Sequence, residues 1–288
     1  MRTFALGTKP VAIADVVDVA RNGSLVAVES TVIDMLARAG DVVLRAAQGD
    51  QAIYGLTSAL GANTGKSVAP DDRALYQVQA VRARAVGVGP PMSEDHVRAA
   101  MFARIAGMAQ GGSGVSIEVF RALTDALNRR VYPYVPSWGS ISVADMPPLA
   151  HLALVLIGEG EAFVHGRRVA GAEALAHAGL APVALAAKDG LALISANAVT
   201  VGVASLVLND LAAMLDRQDE IAALSFEGFR GNVSPLDVRA QRARGAPGQA
   251  EAAARIRNAL AGSGLFAANA ARRVQDPLSF RCVAQVHG

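Results

Sequence analysis

The chain has 288 residues, and 27 lysines and arginines stand against 25 aspartates and glutamates, for a formal net charge of +2. That near-neutral balance, with no long basic run and no basic stripe interleaved with aromatics, argues against a nucleic-acid partner. A single cysteine, Cys282, excludes an intramolecular disulfide and a thiolate metal site and fits a reducing compartment.

Met1 to Pro10 has no apolar h-region and no cleavage pattern, so a cytoplasmic location is expected. Alanine and leucine dominate and 5% of residues are aromatic, which predicts a mainly α fold. Helices are predicted over 11–21, 31–48, 71–86, 93–109, 115–129, 147–161, 171–178, 189–216 and 249–261. Ser93 followed by Glu94 and Asp95 reads as a start signal, Gly40 as a stop, and Pro147-Pro148 as a helix opening. The stretches 55–65, 111–114 and 230–248 read as loops, and 162–169 as a hairpin turning at His165-Gly166. Leu191 to Asn209 is nearly long enough for a membrane span. Ser195, Asn197, Thr200 and Ser205 interrupt it, and no aromatic or basic anchors flank it, so the centre of a helical bundle is expected instead.

Residues 139–151, Gly139-Ser140-Ile141-Ser142-Val143-Ala144-Asp145-Met146-Pro147-Pro148-Leu149-Ala150-His151, resemble the signature G-S-V-G-A-S-G-D-L-x-P-L-A-H of the histidine and aromatic amino acid ammonia-lyases and aminomutases. Tyr54-Gly55-Leu56-Thr57 is similar to the family's Y-G-x-x-T-G-F-G segment, and Lys188 to Leu193 to its K-x-G-L-A-L run. Val274 to Cys282 is similar to V-Q-D-x-Y-S-x-R-C. The resemblance implies an elongated helical bundle with a smaller mixed N-terminal region. On that basis 1–145 would be the N-terminal region and 146–288 the first part of the central bundle. Family members continue well past the segment matched by Gln285-Val286-His287-Gly288, so either a second polypeptide completes the fold or this is the N-terminal product of a split or cleaved protein, and the C-terminal half is expected on a second chain in a tetrameric assembly with shared sites.

In that family the A-S-G triplet cyclises into the electrophilic methylidene-imidazolone group (MIO), and anchoring on Asp145 and His151 aligns it with Ser142, Val143 and Ala144. Cyclisation needs a middle residue that loses water and a third residue without a Cβ in the way. Val143 has no hydroxyl and Ala144 has a Cβ. Shifting by one places Ser142 in the middle but leaves Val143 where glycine is needed. MIO is therefore expected to be absent, and no other cofactor is implied.

The resemblance also assigns roles. Tyr54 matches the family's base, Arg281 its carboxylate-binding arginine, and Gln275 a residue that helps place the substrate. The family's active-site asparagine falls on Ser195, a histidine on Arg84 and a second tyrosine on Leu278, so Arg84 and Ser195 are the altered candidates for contacts with substrate. A phenol titrates near about 10, so Tyr54 would need positive charge nearby, from Arg84 or Arg281. The plainer readings are that Tyr54 packs its loop and that Arg281 pairs at an interface. His151, four residues into a proline-initiated helix, reads as structural. His96, His165 and His177 lack ligand spacing, so no metal site is expected. Gly61 to Ser67 mimics a phosphate loop but has three residues between its glycines where the nucleotide pattern has four. The expected function is a MIO-independent elimination, isomerisation or condensation on a small amino acid or amine-bearing carboxylate. The alternative is a non-catalytic subunit that binds a ligand or stabilises a partner.

Overall fold

The computed structural model describes residues 2–140 and 143–288, and helix dominates it as the composition predicts. The chain opens with β1 (Thr3–Leu6), α1 (Ile13–Ala20) and β2 (Leu25–Val28), the two strands pairing in parallel. Next come α2 (Ser30–Gln48), α3 (Arg73–Arg82), β3 (Val88–Pro91), α4 (Glu94–Met108) and α5 (Ile117–Asn128). Short strands β4 (Tyr132–Pro133) and β5 (Pro136–Trp138) precede α6 (Met146–Leu156). The hairpin of β6 (Glu161–Val164) and β7 (Arg167–Ala170) then leads into α7 (Gly171–His177), α8 (Asp189–Ile194) and α9 (Ala198–Phe229). Last are α10 (Val238–Arg244), α11 (Pro247–Ala259), α12 (Leu278–Arg281) and α13 (Val283–His287).

Several sequence expectations are refined. The predicted helix 189–216 is two helices, α8 and α9, broken at 195–197, and the second runs on to Phe229. Gly40 lies inside α2 and is no stop signal. Part of the predicted 230–248 loop is α10, capped at one end by Asp237 accepting from the Arg239 N–H and ended by Gly245 in the left-handed region. The N-terminal strand, which carries no strong period-2 signal, was not predicted. By length and composition alone Asp189–Phe229 would suffice to cross a membrane, but the break falls within it.

The chain divides into two compact units, Met1–Val207 and Leu208–Gly288, so the division falls inside α9. In the first unit α4 is the core helix, with Val97, Met101, Phe102, Ile105 and Met108 all buried. Its Arg98 is buried too. The guanidinium donates to the carbonyls of Val19 and Ala20 at the end of α1 and of Leu127 at the end of α5. One cation thus satisfies two helix C-termini, where the peptide dipoles favour positive charge. Gly202 lets α9 cross α4 closely, since a Cβ there would stand 2.6 Å from the Ala99 carbonyl carbon.

The second unit has its own core, in which Ala223 and Phe226 of α9 meet Leu236, Ile256 and Leu260. Phe280 packs edge-on against Phe226 at 5.4 Å between ring centroids and stacks on Phe229 at 4.5 Å. Asp219, almost wholly buried, joins Arg255 of α11 to His287 of α13.

Candidate functional site

Tyr54 sits on a loop that folds on itself. Thr57 Oγ1 donates to the Gln51 carbonyl at 2.7 Å and accepts from the Ile53 N–H at 2.8 Å, closing one turn. Gly55 adopts φ +70°, and a side chain there would collide with Leu191 of α8. Buried Gln77 of α3 ties the loop to α8: its Nε2 donates to the Gly55 carbonyl at 3.0 Å and its Oε1 accepts from the Leu191 N–H at 3.2 Å. Tyr54 is left half exposed, and its hydroxyl accepts the Gly61 N–H at 3.1 Å. The hydroxyl proton therefore remains available to a ligand. Gln77 was missed from sequence because a lone glutamine in a helix carries no local signal of its burial.

Ser195 ends α8, exposed, with its N–H bonded to the Leu191 carbonyl at 2.9 Å. It follows the helix that supports the Tyr54 loop. Arg84 is turned elsewhere. Its guanidinium donates to the Ala80 carbonyl at 3.1 Å, one turn back along α3, and its hydrogen bonds do not reach Tyr54.

Of the three positions aligned with the MIO triplet, Ser142 lies outside the described residues. Val143 is 85% exposed and Ala144 is buried. The segment is fixed by Asp145, whose buried carboxylate accepts from the Thr200 N–H and hydroxyl at 2.8 Å each and from Ser140 Oγ at 3.1 Å. Asp145 also stands at the N-cap position of α6, where its carbonyl accepts the Leu149 N–H, and its own N–H donates to the Ala196 carbonyl. The residues present do not fit the family's prosthetic group: the middle side chain is an exposed isopropyl with no oxygen to eliminate, and the third carries a buried methyl. No group of three metal-ligating side chains occurs among the described residues.

His151 lies one turn into α6, and its Nε2 accepts the Gly87 N–H at 3.1 Å. Burial pushes its pKa below 6.5, and the bond itself requires an unprotonated nitrogen. A histidine depressed in the folded state contributes stability that is present above its unfolded pKa and is lost as pH falls through the folded value. The first unit should therefore weaken as pH falls below 6.5, because protonating His151 strands the Gly87 N–H. His151→Gln, which keeps an acceptor, should flatten this slope in denaturant titrations at several pH values. An unchanged slope would discount the histidine.

In the second unit Arg281 is partly exposed at the end of α12, and its Nε donates to the Asp276 carbonyl at 2.8 Å. Its two terminal nitrogens make no hydrogen bond among the described residues, which leaves the fork free for a carboxylate. Gln275 and Leu278 are exposed beside it. Asp276 is buried and accepts the Asn232 N–H, which pins the 274–281 segment to the end of α9.

A family model described as aromatic amino acid lyase matches residues 11–288. The chain belongs to that family. It is 42% identical over 285 residues to a histidine ammonia-lyase of Sorangium cellulosum, covering 97% of this chain and 55% of that protein. To a histidine ammonia-lyase of Streptococcus pyogenes serotype M1 it is 35% identical, over 100% of this chain and 56% of the other. Among solved structures, the ergothioneine-degrading ergothionase of Treponema denticola superposes with a TM-score of 0.94 at 32% identity, covering 99% of this chain and 57% of that one. Pantoea agglomerans phenylalanine aminomutase superposes at 0.93 with 28% identity, with coverage of 99% and 58%. The chain thus spans about half the length of the curated relatives it matches.

Proposed function

We propose that this lyase-family chain contributes to an enzyme that acts on a small amino acid or amine-bearing carboxylate without MIO. The observation that carries the reading is Val143. The residue that should supply the electrophile has no hydroxyl and stands exposed, while the base and the carboxylate-binding arginine are retained. In an assembly whose sites are shared between chains, Arg281 holds the substrate carboxylate through its free fork, and Gln275 helps place it. Tyr54 removes a proton from carbon. In an elimination the C–H electron pair becomes the new double bond, and the carbon–nitrogen bond leaves with its own pair. Without an electrophile to activate the amine, the leaving group must depart readily by itself. The reaction is therefore an elimination, isomerisation or condensation of an activated substrate, and ordinary deamination is absent or very weak. The named relatives act on histidine, phenylalanine and ergothioneine, so the scaffold accepts varied side chains.

The exposed apolar side chains of α9 are covered by other segments of the lyase fold, and the whole forms a soluble, cytoplasmic, tetrameric assembly. Exposed apolar residues on α9 support this part of the reading. The intact mass of the purified protein should equal that of the encoded sequence, with no loss of two waters, and the near-ultraviolet absorbance of MIO should be missing. Detecting either signature would overturn the proposal.

A further inference from the structure

We propose that the first unit carries a second ligand site, separate from the Tyr54 loop, that takes a small aromatic carboxylate. A cavity of about 790 Å³ lies between the start of α4, the turn after α5 and the β6–β7 hairpin. That volume falls within the range of small-molecule sites. Its floor is apolar, with Val97 and Val131 buried and Phe163 half-buried, and Tyr132 adds a second aromatic face.

Its rim is cationic. The guanidiniums of Arg129 and Arg130 line it with the rings of His165 and His177, the latter 3.8 Å from Glu173, and the acid on the lining, Glu94, stands beside Tyr132. Arg130 makes no side-chain hydrogen bond or ion pair among the described residues. Arg129 uses one nitrogen on the Ala178 carbonyl at 3.0 Å. The backbone adds a second indication. Arg130 and His165 both hold positive φ, 59° and 49°, a region that glycine enters freely and that other side chains resist. Arg130 follows directly on the C-cap of α5, where glycine is the common choice. The positive φ at His165 belongs to the β6–β7 turn, but Arg130 holds a guanidinium at a strained position on the cavity, and strain of this kind gathers where a ligand is held. An apolar, aromatic floor beneath a guanidinium rim matches a flat apolar body bearing one carboxylate. A hydrated phosphate would leave the floor unfilled.

The test is a benzoate titration of the full chain, in the assembly in which it is purified, followed by ligand-observed NMR. It is run in the Arg281→Ala background so that the proposed active site does not report. Saturable binding is expected there, with benzyl alcohol binding about tenfold more weakly. Adding Arg130→Gly should weaken benzoate about tenfold while raising the thermal midpoint, because glycine relieves the left-handed strain. A merely structural arginine would not give these opposite shifts. Undiminished binding in the Arg130→Gly variant, equal affinity for the alcohol, or no saturable binding would each overturn the proposal.

Discussion

Tyr54→Phe is expected to lower turnover of the assembled enzyme by about 10²- to 10⁴-fold, the usual contribution of one positioned proton-transfer group. The substitution removes a single oxygen. That oxygen accepts one N–H, from Gly61, and the loop is held independently by Thr57 and by the Gln77 bridge to α8. The ring stays half exposed in either form, so no core is disturbed. Thermal unfolding of the first unit should therefore be unchanged, and the loss should appear in kcat. Undiminished turnover would assign Tyr54 to loop packing. A matching loss of folded protein would point the same way.

The second large effect concerns α9. Leu208, Leu211, Met214, Ile221 and Leu224 are all exposed on this helix, the last at 72%. Covering five such side chains contributes on the order of 5–10 kcal/mol, comparable with the whole stability of a domain. An apolar surface of that extent drives association. Expressed alone, the chain should aggregate or self-associate, and coexpressed with the C-terminal half of the lyase fold it should copurify in one large complex. Leu208→Asp combined with Leu211→Asp should disperse the complex in light scattering. A cooperatively unfolding, soluble monomer of the unaltered chain would defeat the idea.

Much of the fold was legible because its helices carry local signals. Ser93 with Glu94 and Asp95 marks the start of α4, the proline pair opens α6, and His165-Gly166 makes the turn between β6 and β7. The break between α8 and α9 was not legible, because an uncharged run that merely changes direction looks the same as one that continues. What ends α8 is tertiary: Ala196 gives its carbonyl to the Asp145 N–H, and Thr200 turns its own N–H to the Asp145 carboxylate. The candidate site shows the same division. Tyr54, Arg281 and the altered triplet could be found from motifs. Gln77 and Arg98 depend on partners far away in sequence, to which no spacing rule applies, whereas Arg84 turns back to a carbonyl only four residues away.

The bonds that hold Asp145 involve Ser140, Ala196 and Thr200, and none of them uses the side chains of Val143 or Ala144. Support and reagent are thus carried by different residues within one short segment. Evolution can change the reactive part here while the joint that carries it stays whole, much as a tool bit is exchanged in a fixed chuck. A family built this way can try new chemistry one or two codons at a time without first learning to fold again.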